Sequence, residues 1–232
     1  MEVSHRIIIS DIDNTLLGDT KALGEFINYL KKNRDSIKFG IATGRHLESA
    51  IAVLEQWQVP TPDFFITAVG SQIHNATKEA DENWLKHIDY CWKPDEIRDY
   101  LSQFKGLSLQ PDINQGEFKI SYFADQNFEK LELPYAANVI YSHGEFLDIL
   151  PVRASKGLAV SYLAKSLSLP MTQVMVAGDS GNDAEMLTND GLGIVVGNYS
   201  NELENLKNKK GIYFAQNNYA AGILEGIKHF DW

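Results

Sequence analysis

The sequence predicts an α/β fold in which a parallel sheet is interrupted by a smaller α+β module. Three observations predict it. From Arg6 to Val69, short apolar runs alternate with stretches of helical periodicity. From about Thr77 to Pro151 that alternation gives way to short alternating segments, and from Lys156 it resumes. The first and last parts therefore read as one sheet, with the middle inserted between them.

Taken in order, Arg6 to Ser10 (R-I-I-I-S) is a short β-branched run, as expected of a strand buried on both faces. After the loop Asp13 to Asp19, the stretch Lys21 to Lys32 places Leu23, Phe26, Ile27 and Leu30 on one helical face. Ile37 to Ala42 is a second strand, ended by Thr43-Gly44-Arg45. A helix from about Leu47 to Trp57 buries Ala50, Val53, Leu54 and Trp57, and Phe64 to Val69 reads as a third strand. The middle opens with Trp84, His87 and Trp92, continues with a helix near Pro94, and then holds segments at Phe118 to Phe123, Ala137 to Ser142 and Glu145 to Leu150. Beyond it come a helix from Lys156 to Leu167, the strand Val174 to Ala177, and a Gly-Asp-Ser-Gly-Asn-Asp loop. A helix to about Thr188 and a short strand from Leu192 to Val196 follow. Internal repeats, linkers and low-complexity tracts are absent from the sequence.

Composition sets outer limits. The 232 residues are 44% apolar and 22% charged, which excludes disordered and fibrous classes. A single cysteine, Cys91, cannot pair within the chain, so a reducing compartment and a cytoplasmic location are expected. The N-terminus lacks a secretory pattern and no apolar stretch spans a bilayer, so no membrane association is expected. With the chain ending at Trp232, no further C-terminal domain is expected. A net charge of −10 would repel nucleic acid at long range, so none is expected as partner. In such a field a phosphate ester needs a metal ion and local cations.

Four short constellations lie where strands end. Asp11-Ile-Asp13-Asn-Thr15 brings two carboxylates to the carboxyl edge of the sheet, where open α/β folds bind ligands. Mutual repulsion and desolvation make a hard cation such as Mg²⁺ their natural companion, although both also fit Asx turns. Thr43-Gly44-Arg45 offers a hydroxyl and amides to a phosphoryl oxygen, or else a helix cap. Lys156 follows Ser155, the expected N-cap, and faces the positive end of a helix dipole; this suits a nearby anion, with a solvated surface lysine as the alternative. Gly178-Asp179-Ser180-Gly181-Asn182-Asp183 adds an acidic loop suited to Mg²⁺, with capping by Ser180 or Asp183 as the alternative.

In this order the four resemble the motifs of the haloacid dehalogenase superfamily of phosphohydrolases, in the branch with a cap inserted between the second and third motifs. The resemblance covers essentially the whole chain. Within the superfamily, Ile9-Ser-Asp11-Ile-Asp13-Asn-Thr15, Ala42-Thr-Gly-Arg45, Thr67-Ala-Val-Gly70-Ser71, Lys119-Ile-Ser-Tyr122, Asp148-Ile-Leu-Pro-Val-Arg153-Ala-Ser-Lys156-Gly157 and His229-Phe-Asp231 are similar to the bacterial sucrose-phosphate phosphatases.

That resemblance implies a Rossmann-like core over residues 1–77 and 154–232, with a cap over 78–153 that sets specificity. It implies Asp11 as nucleophile, Asp13 as general acid and base, and Thr43 with Lys156 on the phosphoryl oxygens. The implied metal set for Mg²⁺ is Asp11, Asp13 through its carbonyl, Asp179, Asn182 and Asp183, the last two holding the metal shell or Lys156. Implied substrate contacts are Thr43, Gly44, Arg45, Gly70, Ser71, Lys119, Tyr122, Asp148, Arg153 and Lys156. Tyr122 also fits a core position, and Asp148 with Arg153 a structural ion pair. Trp84 and Trp92 read as packing residues.

The implied reaction is Mg²⁺-dependent release of sucrose from sucrose 6-phosphate, with a sucrose-phosphate synthase as possible protein partner and a monomer as the expected state. Alternatives are the same chemistry on mannosylfructose, trehalose or glucosylglycerol phosphate, a phosphosugar mutase, and a non-catalytic domain that serves a synthase.

Overall fold

The structure, a computed structural model, describes residues 6–125, 128 and 131–232. The chain begins with β1 (Arg6–Ser10), α1 (Thr20–Lys32), β2 (Ile37–Ala42), α2 (Leu47–Gln56), β3 (Phe64–Thr67) and β4 (Gln72–Asn75). The middle contains α3 (Glu82–Ile88), α4 (Pro94–Leu101), β5 (Leu107–Leu109), β6 (Ile120–Ala124), β7 (Ala137–Ser142) and β8 (Phe146–Pro151). The last part contributes α5 (Lys156–Ser166), β9 (Val174–Gly178), α6 (Ala184–Leu187), β10 (Leu192–Val195), β11 (Ile212–Phe214) and α7 (Tyr219–His229).

Seven strands form one sheet in the order β11-β10-β9-β1-β2-β3-β4, parallel except for the β3–β4 hairpin. Successive side chains of a strand point to opposite faces, and β1 shows the result directly. Ile7 and Ile9 pack with Val160 and Leu163 of α5 and with Trp84 and Ile88 of α3. Ile8 faces the other way, onto Leu23 and Phe26 of α1, Leu54 of α2 and Ile223 of α7. All three isoleucines are at most 1% exposed, and each such burial contributes about 1.5–3 kcal/mol. With helices on both faces, apolar runs without alternation become strands.

The middle strands form a separate antiparallel sheet, β5-β6-β8-β7, with α4 against one face. Ile97 and Leu101 of α4 pack on Ile120, Tyr122, Leu147 and Ile149. Trp84 and Trp92 are packing residues: the buried Trp84 indole donates to Gly70 O at 3.1 Å, and Trp92 donates to Glu117 O at 2.8 Å.

Strand β3 stops at Thr67 instead of running to Val69. Ala68 and Val69 take positive φ values of 50° and 60°, which end extended pairing, and Gly70 follows at 96°. Strands β4, β5 and β11 and helices α3 and α7 stand beyond the elements expected from the sequence pattern.

Candidate active site

The parallel strands β1, β2 and β9 deliver three loops to one edge of the sheet. Asp11 extends the ladder, its amide donating to Ala177 O at 2.9 Å, and Thr43 does the same toward Ile66 O at 2.9 Å. Helix α5 starts beside them. Ser155 caps it, its hydroxyl accepting from Leu158 N at 2.9 Å. This fixes Lys156 at the first helical position, pointing under the sheet edge and not into solvent.

Lys156 is fully buried and its ammonium makes three hydrogen bonds, to Asp11 Oδ1 at 2.7 Å, Asp183 Oδ1 at 2.7 Å and Asn182 Oδ1 at 2.8 Å. Burial opposes its charge, but Asp11 and Asp183 outweigh that and raise its pKa. The surface-lysine alternative is thereby excluded. Asp183 is occupied on both sides, because its Oδ2 accepts from the amides of Asp179 at 3.0 Å and Ser180 at 3.1 Å, forming a capping box with Ser180.

Asp11 carries a pKa well above the usual carboxylate range. Burial is the main cause, opposed by Lys156 and reinforced by Asp183 and Asp179. Asp179 is pushed up to about 7 by burial and by Asp183, against the hydrogen bond from Thr15 Oγ1 at 2.7 Å. Carboxylate oxygens of Asp11, Asp179 and Asp183 all lie within 4.8 Å of one another. Three buried carboxylates against one buried ammonium leave negative charge uncompensated, and their hard oxygen donors fit a divalent cation such as Mg²⁺.

Two residues of the expected metal set have their side chains engaged by neighbouring cations. The Asp13 carboxylate is gripped by Arg45, Nε to Oδ2 at 2.7 Å and Nη2 to Oδ1 at 2.8 Å, while the metal contact expected of Asp13 is through its backbone carbonyl. The Asn182 amide oxygen accepts from Lys156, the second of its two expected roles. Thr43 does not cap α2, whose N-cap is His46; its buried hydroxyl accepts from Arg45 N at 3.2 Å.

A cavity of about 650 Å³ opens above this floor, lined from the large sheet by Asp11, Asp13, Asn14, Thr43, Gly44, Arg45, Ser180 and Asn182. Gln110, Asn114, Lys119, Phe123, Ser142, His143, Glu145, Phe146 and Asp148 line it from the small sheet. Lys119 lies 3.5 Å from Asp148 Oδ1 and donates to Gly44 O at 3.2 Å, while Ser121 Oγ donates to Asp148 Oδ1 at 2.5 Å. Of this wall, the sequence pointed to Lys119 and Asp148 but not to the rest. Gln110 and Asn114 lie in the connection after β5, His143 and Glu145 in the β7–β8 turn and Phe146 at the start of β8, positions whose approach to the cavity depends on how the small sheet folds over.

Five expected contacts do not line the cavity. Gly70 is pressed against α5: a Cβ there would lie 2.2 Å from the Ser155 carbonyl carbon. Ser71 is buried beside it. Tyr122 belongs to the core under α4. Arg153 stacks over the Tyr90 ring at 3.8 Å and donates to His87 O at 3.5 Å, so it forms no ion pair with Asp148. Lys156 also lies beneath the cavity wall, reaching it through Asp11.

The family model for sucrose-6F-phosphate phosphohydrolase matches residues 4–231. The sucrose-phosphatase of Synechocystis sp. PCC6803, solved in complex with sucrose and phosphate, superposes with a TM-score of 0.91 at 33% identity, over 98% of each chain. Mannosylfructose-phosphate phosphatase of Agrobacterium fabrum is 28% identical over 97% of this chain and 96% of its own. Sucrose-phosphatase 2 of Nicotiana tabacum is 31% identical over 96% of this chain but only 58% of its own length. With a match across nearly every residue and the acidic site intact, the chain belongs to the sucrose-6F-phosphate phosphohydrolase family.

Proposed function

We propose that the chain is a Mg²⁺-dependent phosphatase that hydrolyses sucrose 6-phosphate to sucrose and phosphate. The observation that carries this reading is the buried Asp11 carboxylate, held by Lys156 at the floor of a cavity roofed by polar side chains. In the proposed chemistry an Asp11 oxygen attacks phosphorus, the bond from phosphorus to the sugar oxygen breaks, and an aspartyl-phosphate forms. Asp13 protonates the departing sugar oxygen and afterwards takes a proton from the water that hydrolyses the intermediate. Thr43 and the Gly44–Arg45 amides hold phosphoryl oxygens, and Arg45 passes from Asp13 to the incoming phosphate. Lys156 fixes the Asp11 carboxylate from below. Asp11, Asp179 and the Asp13 carbonyl would hold Mg²⁺, with Asp183 beside them anchoring Lys156 and the loop amides; the ion would supply neutralisation of charge between carboxylate and phosphate.

Residues 1–77 and 154–232 serve as the catalytic core and 78–153 as a cap that excludes water and selects the sugar. Lys119 and Asp148, paired and facing the cavity, suit sugar hydroxyls. The synthase that supplies the phosphorylated sugar is the proposed protein partner, with a monomeric state and a cytoplasmic location. Among the described residues no helix is long and apolar enough to cross a membrane.

The test is phosphate release from a panel of sugar phosphates in Mg²⁺ and in excess EDTA. Metal-dependent turnover concentrated on sucrose 6-phosphate supports the reading. Preference for mannosylfructose, trehalose or glucosylglycerol phosphate keeps the mechanism and discards the substrate. No release from any of them favours a mutase or a non-catalytic domain.

A further inference from the structure

The two sheets meet along a seam that has open space on both sides. Inside lies the 650 Å³ cavity, with Ser142 and His143 facing Ser180 and Asn182. Outside lies a groove of about 460 Å³, lined by Ile140 and Tyr141 on one bank and by Gly181, Ala184 and Glu202 on the other. Where the junction has open space on both sides, the polar contacts that cross it bear on whether it stays shut, as Lys119 donating to Gly44 O at 3.2 Å does on the cavity side and a second contact does on the groove side.

Glu202 makes the crossing. It stands on a 3-10 helix, Asn201–Leu206, anchored in the core by the buried Leu203 and Leu206. Its Oε2 accepts from Gly181 N at 2.7 Å and from Ser200 Oγ at 2.9 Å, both on the core side. Its Oε1 accepts from Gly144 N at 3.1 Å, in the turn that joins β7 to β8 on the cap side. One carboxylate thus divides its two oxygens between the loop that carries Asp179 and Asp183 and the hairpin that roofs the cavity. Gly181 permits the approach, since a Cβ there would lie 2.6 Å from Tyr141 O.

We infer that Glu202 is a positioning residue, a clasp that holds the β7–β8 hairpin closed over the site and sets the population of the substrate-competent form. The inference rests on the cap reading above. Glutamine at this position separates clasp from scaffold. With its single carbonyl oxygen on Gly181 and Ser200, its amide N–H₂ faces the Gly144 N–H, so the core contacts persist while the bond across the seam is lost.

The test measures opening without turnover. Spin labels at exposed Glu55→Cys in the core and Asp112→Cys in the cap, in a Cys91→Ser background, report the distance between the two sheets. The parent should give one narrow distribution, and Glu202→Gln a longer and broader one at an unchanged melting temperature. Glu202→Asp, too short to reach across, should behave like Glu202→Gln. Ser200→Ala, which keeps the Gly144 bond, should match the parent. For the preferred sugar phosphate, KM of Glu202→Gln should rise roughly three- to tenfold with kcat held or increased, because only the competent fraction binds. A parent-like distribution in both Glu202 variants, or equal opening in Ser200→Ala, overturns the inference. The distances stand whether or not any sugar phosphate is hydrolysed, so failure of the phosphatase reading and failure of the clasp are distinguishable.

Discussion

Lys156 and Asp11 lie 145 residues apart in the chain, yet their Nζ and Oδ1 atoms are 2.7 Å apart, the ammonium fully buried and the carboxylate on the cavity floor. The same ammonium reaches Asp183, so one cation balances two buried carboxylates. Removing either partner has opposite consequences for stability. Lys156→Met leaves both carboxylates without a counter-charge and should cost about 3–5 kcal/mol. Asp11→Asn removes a group whose ionisation burial opposes and leaves Lys156 on Asp183, so it should melt at or above the parent. Both variants should be inactive. Thermal melts in EDTA check the stability sign, and a melting temperature of Lys156→Met equal to the parent's would sink this account of the pair.

Asp179 ties cation binding to pH. Its folded-state pKa of about 7 lies above the ordinary value of 3.8, so the folded protein binds more protons than the unfolded chain between those values. Stability from this group is therefore full below about pH 4 and is lost as pH rises through about 7. In EDTA the melting temperature should fall between pH 5.5 and pH 8. Saturating Mg²⁺ should shrink that fall, and the Mg²⁺ concentration for half-maximal stabilisation should rise as pH drops below 7.

Glu225 shows the reverse sign. It accepts from Tyr213 Oη at 2.6 Å, from the amides of Gln216 and Asn217 at 2.9 Å each, and from Asn217 Nδ2 at 2.6 Å. Despite an opposing burial contribution, these donors lower its pKa from 4.5 to about 2. The stability it contributes is present above 4.5 and lost as pH falls toward 2. Glu225→Gln should lose about 1–2 kcal/mol at pH 7, a modest figure because solvent screens a partly exposed carboxylate. The gap to the parent should narrow at pH 3, as read from denaturant titrations at the two pH values.

Lys119 and Asp148 face the cavity from the small sheet, opposite the Asp11 floor. Lys119→Met and Asp148→Asn should raise KM about tenfold or more while kcat changes less, the pattern of contacts made equally in ground and transition states. Steady-state kinetics on the best substrate of the panel decide it, and a fall in kcat at constant KM would place these residues in the chemistry instead.

The strands of the large sheet were legible because burial on both faces forces uninterrupted apolar runs: β1, β2 and β9 start where Arg6, Ile37 and Val174 start those runs. The four acidic and polar constellations were legible because parallel strands end at one edge. Three-residue strands such as β5 and β11 carry too little pattern to register. Helices α3 and α7 went unread, although Asp81 accepting from Asn83 N and Trp84 N supplies α3 with an ordinary cap. Gly70 was misassigned for a different reason. A glycine pressed between Trp84 and the start of α5 and one beside a ligand look alike until tertiary contacts are known. The grip of Arg45 on Asp13 joins residues from two loops and has no local signature.

The order of the large sheet carries a consequence for synthesis. β1 is flanked by β2, made soon afterwards, and by β9, which begins only at Val174. At roughly 5–20 residues per second, the far edge of β1 waits on the order of ten seconds or more for its partner. During that interval an Ile-rich strand presents open amides and carbonyls, a template for pairing with another nascent chain. The length of the middle segment therefore sets a time of exposure, and a longer one would bring more pressure for chaperone cover or slower expression.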